Sequence, residues 1–187
     1  MSQIEIIFIR HGEASEKWGD HSDPGLSDKG QLQASALLQH KELQNLKNYN
    51  FVSSPKLRAI QTAEPLSKKF DKEICIDETF IEIPSNNIDA SEKQNWLKEI
   101  IECDRNNLPN FIKAWKKSIY EKTKSFGDNV VIFSHFMVIN ALLSELAKTE
   151  KLLYFFPDYT SVVKVIVKDG RFEYFLTEDD KKTSINL

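Results

Sequence analysis

Cysteine is scarce in this chain. Cys75 and Cys103 stand alone among 187 residues, too few and too far apart for a disulfide framework or a paired-thiolate zinc site, so reduced thiols are expected. No apolar run approaches the ~20 residues that a helix needs to cross a bilayer. The N-terminal residues lack the basic start and small-residue cleavage pattern of a secretory signal, which makes the cytoplasm the expected compartment. Positive charge is not in excess either: 25 Lys and Arg face 28 Asp and Glu, for a net charge of -3. A general nucleic-acid surface requires a basic domain or stripe. Neither nucleic acid nor membrane is an expected partner, and any attraction for phosphate must be local. Internal repeats and low-complexity tracts are missing as well.

What is present describes an ordinary globular chain, 41% hydrophobic and 28% charged, of a length that suits one substantial core. Three short apolar runs carry the main signal. Ile6-Ile7-Phe8-Ile9 leads into Arg10-His11-Gly12-Glu13, Phe51-Val52-Ser53-Ser54 breaks at Pro55 shortly before Arg58, and Val130-Val131-Ile132-Phe133 ends in Ser134-His135. Continuous β-branched or aromatic runs of this kind mark parallel strands covered on both faces. Open α/β sheets bind ligands beyond the carboxyl ends of such strands. If the three lie side by side, two arginines and two histidines converge on one edge and repel one another unless they hold an anion. Guanidinium is a planar fork of donors matched to phosphate oxygens, and imidazole can serve as nucleophile, acid or second donor. The cluster reads as a phosphate pocket.

Between these runs, Ser27 and Asp28 read as a helix start, with an apolar stripe of Leu32, Ala36, Leu37, Leu38 and Leu43 down to Asn45. Ser54 and Pro55 suit the N-cap and first position of a helix from Lys56 to Phe70. Glu73 to Asp77 reads as a further short strand. After a loop that includes Pro84 and Asn86, helical spacing of Trp96, Ile100 and Cys103, then of Phe111, Trp115 and Ile119, predicts two amphipathic helices joined by Asn106-Asn107-Leu108-Pro109. Lys113, Lys116, Lys117, Lys122 and Lys124 are expected to form the solvated face of the second. Met137 to Ala147 reads as a buried helix. Tyr154, Phe155, Phe156 and Tyr159 either border a pocket or, as the favoured expectation, form core. Asp169-Gly170 between Val162 to Lys168 and Arg171 to Leu176 signals a two-residue hairpin. The expected fold is a single three-layer α/β domain over 1–176, with a mainly parallel central sheet flanked by helices, a helical insertion at about 84–128 and a C-terminal hairpin. A polar tail over 177–187 is expected to fray.

Arg10-His11-Gly12, then Ser53-Ser54-Pro55 with Arg58-Ala59 and Gln61-Thr62-Ala63-Glu64, then Ser134-His135, resemble in order the motifs of the histidine phosphatase superfamily, also called the phosphoglycerate mutase-like family. Leu26-Ser27, Gly30 and Ala34 fit its first loop and helix. The resemblance implies that His11 is the nucleophile that takes the phosphoryl group, that Arg10, Arg58 and His135 bind its oxygens, and that an acidic residue after the third strand protonates the leaving oxygen. Glu82, in Phe80-Ile81-Glu82, is the choice for that acid, with Glu78 in reserve. No metal or other cofactor is implied, and the substrate is a phosphorylated small molecule or phosphoprotein; the oligomeric state is not legible.

Ala14 stands where mutases usually have a hydroxyl residue, Phe136 where glycine is frequent, and Pro84-Ser85-Asn86 replaces a glycine-rich stretch. These departures favour a phosphatase over a mutase. A non-catalytic phospho-ligand binding module is a further alternative, opposed by the presence of both histidines and both arginines. His11-Gly12-Glu13 also matches the opening of zinc deaminases, but their P-C-x-x-C half is missing. A metal centre of His11, Glu13, His21 and Asp23 is chemically conceivable and disfavoured, because a phosphate-binding histidine needs no metal.

Overall fold

The computed structural model describes residues 3–17, 22–85 and 87–177. His21, Asn86 and residues 178–187 of the expected tail lie outside the described residues; Thr177, counted with that tail from sequence, is the last residue of a strand.

The apolar runs form β1 (Gln3–Arg10), β2 (Asn50–Ser53) and β4 (Val130–Ser134), with β3 (Ile74–Ile76) between β2 and β4 in the chain. The hairpin strands are β5 (Val162–Lys168) and β6 (Arg171–Thr177), and the sheet order is β3-β2-β4-β1-β5-β6. The first four strands in that order run parallel; β5 and β6 close the sheet antiparallel. Asp169 and Gly170 both take positive φ, 49° and 71°, the conformation that a two-residue turn matched to strand twist demands.

Strand side chains alternate between two cores, as a period of two requires. Ile6, Phe8, Val52, Val130 and Ile132 enter one apolar cluster, while Ile7, Ile9, Phe51, Val131 and Phe133 enter the other. On the first face lie α3 (Lys93–Glu102), α4 (Asn110–Ser125) and α5 (Phe136–Leu146); on the second lie α2 (Leu57–Phe70) and the chain that follows α1 (Asp28–Ala36). Each fully buried Ile or Phe in these clusters stabilises the fold by roughly 1.5–3 kcal/mol.

Several expectations are corrected. Leu32 is 72% exposed, and α1 ends at Ala36 before two short 3-10 turns bring Leu37 and Leu43 into the core. The reason is close packing: the buried residues of α1 are the small ones, Gly30 and Ala34, and Gly30 lies against the loop after β1. Ser54 is not the cap of α2. Lys56 takes the extended cap conformation, and the Leu57 N–H is capped from afar by Asp23 Oδ1 at 3.0 Å. On α4 the buried face is Ile112, Trp115, Ile119 and Thr123, one residue out of step at its start, so Phe111 is 49% exposed. On α3 it is Leu97, Ile100 and Ile101, with Trp96 and Cys103 only partly buried. Lys116 is buried rather than solvated, and of the aromatic segment only Phe155 enters the core, Tyr154 and Phe156 being exposed.

Candidate active site

The ladder registers create the site. Arg10 is level with Ser134, and Ser53 with Phe133, so the residues that follow, His11, Ser54 and His135, emerge together at one sheet edge. Backbone hydrogen bonds continue the alignment by one step: His11 N–H donates to Ser134 O and Ser54 N–H to Phe133 O, each at 2.9 Å. A helix begins just beyond each of β2 and β4, bringing Arg58 in from the first turn of α2 and making His135 the N-cap of α5.

His11 Nδ1 lies 2.6 Å from the Gly12 carbonyl oxygen. A carbonyl only accepts, so Nδ1 carries the proton and Nε2 presents its lone pair. That lone pair accepts from Arg58 Nε at 3.1 Å. The same guanidinium reaches His135, with Nη2 3.3 Å from Nδ1. Because guanidinium only donates, His135 Nδ1 is the acceptor and its Nε2–H donates to Ser54 Oγ at 2.7 Å. The two imidazole rings stand 5.1 Å apart at 63°.

Arg10 is 3% exposed and its Nη1 donates to Pro157 O at 2.8 Å. Its guanidinium carbon lies 4.1 Å from the Tyr159 ring centroid and 5.1 Å from that of Phe136, contacts that favour a cation. Arg10 Nε is buried without a hydrogen-bond partner among the described residues. An unmatched buried donor costs about 1–3 kcal/mol, and a phosphoryl oxygen would satisfy it.

Burial, then Arg58, then Arg10 hold the His11 imidazole well below its usual range, and burial followed by Arg58 does the same to His135. Both rings are therefore neutral. Glu82 moves the other way. Burial raises its carboxyl against the opposing pull of the Ile83 N–H, Arg58, Arg10 and the Met137 N–H at the start of α5. Its Oε1 accepts from Ile83 N at 2.9 Å and its Oε2 is 3.9 Å from His135 Nδ1. Glu78 sits exposed on the 3-10 turn Glu78–Phe80. The structure thus brings Glu82 to Arg10, His11, Arg58 and His135, and leaves Glu78 outside.

The surroundings fix these groups. Thr62 Oγ1 accepts from Gly12 N at 3.0 Å and donates to Arg58 O at 2.7 Å, joining the loop of the histidine to the helix of the arginine. A Cβ on Gly12 would meet Gly30 O at 2.7 Å, and one on Gly30 would meet Glu13 O at 2.1 Å, so neither position admits a side chain without displacing backbone. Trp115 Nε1–H donates to Ile81 O at 3.2 Å, anchoring the residue before Glu82. In sequence, Ser54 and Thr62 stand in the motif segments without a role assigned to them, Tyr159 is expected in the core with a pocket border as the alternative, and Trp115 reads only as a core-facing residue of its helix. The spacing of Thr62, one helical turn after Arg58, carries a signal for its part.

Of the groups of the alternative metal centre, Glu13 and Asp23 have other partners, and His21 lies outside the described residues. Glu13 accepts from Ser27 Oγ at 2.9 Å and Lys29 Nζ at 2.8 Å, and Asp23 caps α2. Among the described residues no cluster of three or more His, Cys, Asp or Glu side chains is placed to hold a metal ion, and no helix is long and apolar enough to cross a membrane.

Comparison with known proteins gives the same reading of the fold. The model of the histidine phosphatase superfamily (branch 1) matches residues 6–180. Among solved structures, Bacillus stearothermophilus YhfR is 20% identical with a TM-score of 0.77, covering 98% of this chain and 100% of its own. The phosphoserine phosphatase from Entamoeba histolytica, in complex with 3-phosphoglyceric acid, is 23% identical with a TM-score of 0.71, covering 98% and 100%. A phosphoglycerate mutase from Bacillus anthracis str. Sterne is 20% identical with a TM-score of 0.67, covering 95% and 92%. At these identities the likeness is one of fold. A search of curated proteins finds no match to this sequence.

Proposed function

The chain belongs to the histidine phosphatase superfamily, branch 1, and on that premise we propose that it hydrolyses phosphate monoesters through a phosphohistidine on His11, with no metal or other cofactor. The observation that carries this reading is the tautomer of His11: Nδ1–H is held by Gly12 O, and Nε2 points its lone pair at Arg58. In phosphoryl transfer the protein contributes chiefly positioning and charge stabilisation, and Arg10 and Arg58 supply fixed positive charge beside that nitrogen.

In the first step the phosphoryl group takes over the Arg58 hydrogen bond, Nε2 bonds to phosphorus, and the ester oxygen leaves with the proton of the Glu82 carboxyl. The Nδ1–H bond to Gly12 O stabilises the positive ring so formed. In the second step Glu82, now a carboxylate, takes a proton from water as its oxygen bonds to phosphorus, and Nε2 is released. Burial first and the Arg58 charge second keep His135 neutral; a bound dianion offsets that charge and offers an acceptor, so His135 can take a proton at Nδ1 and donate to a phosphoryl oxygen. Arg10, His11, Arg58 and His135 are all buried, which favours a small phosphorylated molecule over a folded phosphoprotein as substrate.

Rapid acid and alkaline quenching during turnover of an aryl phosphate tests the reading. The expected result is an acid-labile, base-stable phosphoryl group on His11, and a loss of at least about 10³-fold in turnover for His11→Ala. Full turnover by that variant, or an enzyme never phosphorylated, overturns it.

A further inference from the structure

We propose that the cleft between α4, the connection at 103–109 and the C-terminal end of α5 is a second anion site, shaped for a small organic molecule bearing one dianionic phosphate or phosphonate group. The cleft has a volume of about 470 Å³, within the range of small-molecule sites. Four cations line it, Arg105, Lys113, Lys116 and Lys117, against two carboxylates, Glu121 and Glu145. The local excess is two positive charges, on a chain whose net charge is -3.

Pairing inside the cleft does not consume that excess. Glu145 Oε2 alone receives both Arg105 Nη2 at 2.9 Å and Lys116 Nζ at 2.8 Å, so one carboxylate spans two cations. Lys113 Nζ donates to the Asn106 carbonyl, which leaves its charge uncompensated. Lys117 makes no ion pair among the described residues, although Glu121 stands one helical turn away. Lys116 is 6% exposed, and a charge held that far from water acts on an anion more strongly than one in solvent. Ammonium and guanidinium donors suit phosphate oxygens. Leu108 and Tyr120 provide an apolar wall for an organic body, and the Tyr120 ring is itself braced against Phe172 at 5.0 Å. None of these residues belongs to the strand-end cluster.

Calorimetric titration with phenylphosphonate, at mildly alkaline pH and about 150 mM salt so that loose surface attraction is screened, tests the assignment. Wild type is expected to bind at two sites. Arg58→Ala should lose the one in the catalytic pocket and keep the other, whereas Lys113→Ala combined with Lys117→Ala should weaken the cleft about tenfold or more and leave aryl phosphate turnover unchanged. An Arg58→Ala enzyme that binds nothing, or whose remaining binding ignores the lysine substitutions, overturns the proposal. One site that survives Arg58→Ala and disappears in the double lysine variant supports the cleft and counts against the catalytic pocket instead.

Discussion

Two groups of buried or half-buried cations stand at different places in this fold, which treats them in opposite ways. At the strand ends, neither Arg10 nor Arg58 has a carboxylate within ion-pair distance among the described residues. Their donors go to the Pro157 carbonyl and the two imidazoles, and Arg10 Nε goes to nothing. Between α4 and α5, Lys116 and Arg105 share Glu145. A buried charge without a counter-ion is costly, so a structure that tolerates one in a pocket is organised around something that arrives with the opposite sign. A buried charge with its carboxylate fastens two helices. The first arrangement suits the proposed chemistry and the second serves architecture, with Lys113 and Lys117 of the cleft rim standing between them.

Removing one charge from each group sharpens that contrast. Arg58→Ala takes away the donor to His11 Nε2 and the bridge to His135, and is expected to lower kcat/KM by about 10²–10³-fold while weakening vanadate binding in parallel. Unchanged vanadate affinity would remove Arg58 from the phosphoryl site. Thermal stability should hold or rise, because burial disfavours the charge of this guanidinium and the substitution removes it.

Glu82→Gln comes next. Where the leaving group is a poor one, an alkyl phosphate, loss of the acid should cost about 10²-fold; with p-nitrophenyl phosphate the loss should be small. The pH profile carries the sign. His11 must be neutral to attack, and its imidazole is held below the ordinary 6.5, so the rising limb lies on the acid side of that value. Glu82 must be protonated to donate, and its carboxyl is raised above the ordinary 4.5, so the falling limb lies above that one. In Glu82→Gln the falling limb should vanish for alkyl substrates. If it persists, a different group supplies the proton.

Much of the strand-end cluster was legible because it follows from periodicity alone. Unbroken β-branched runs mean strands buried on both faces, and residues just past parallel strands must meet; that reasoning reaches Arg10, His11 and His135 without a structure. Asp169-Gly170 was legible for a similar reason, since few dipeptides accept positive φ twice. Side-chain partnerships were not. Ser54 looks like a helix cap locally, yet its hydroxyl belongs to an imidazole 81 residues away, and the true cap, Asp23, is 34 residues before the helix it serves. Tyr159 reads as one more core aromatic until the sheet places Arg10 beneath it. Lys116 reads as solvated because its helical neighbours are, and only the approach of α5 supplies Glu145. Sequence reports local pattern well and the identity of distant partners hardly at all. The choice of Glu82 over Glu78 came from the family's motif, and burial is the physical difference between them.

The smaller effects test the architectural group. Glu145→Gln leaves Lys116 buried beside a neutral amide and should destabilise the fold by about 2 kcal/mol, read as a lowered Tm, with kcat per folded molecule unchanged. A fall in kcat without a fall in Tm would place that cluster in the chemistry and erase the distinction drawn above.

Trp115→Phe probes where the two groups touch, because α4 carries Lys116 on one side and, through Trp115, holds the backbone in front of Glu82. Phenylalanine keeps an aromatic ring at a site only 8% exposed but loses the N–H that reaches Ile81 O at 3.2 Å. The stability cost should be about 1 kcal/mol. If the indole positions the acid, kcat for an alkyl phosphate falls by a few-fold and KM does not. The falling limb of the pH profile also shifts downward, since a looser Glu82 is better solvated and ionises more readily. Turnover of p-nitrophenyl phosphate, which hardly needs the acid, stays at the wild-type level. Equal losses on both substrates with an unmoved pH profile would assign Trp115 to packing alone. The proton donor would then owe its position to its own bond with Ile83 and to the start of α5.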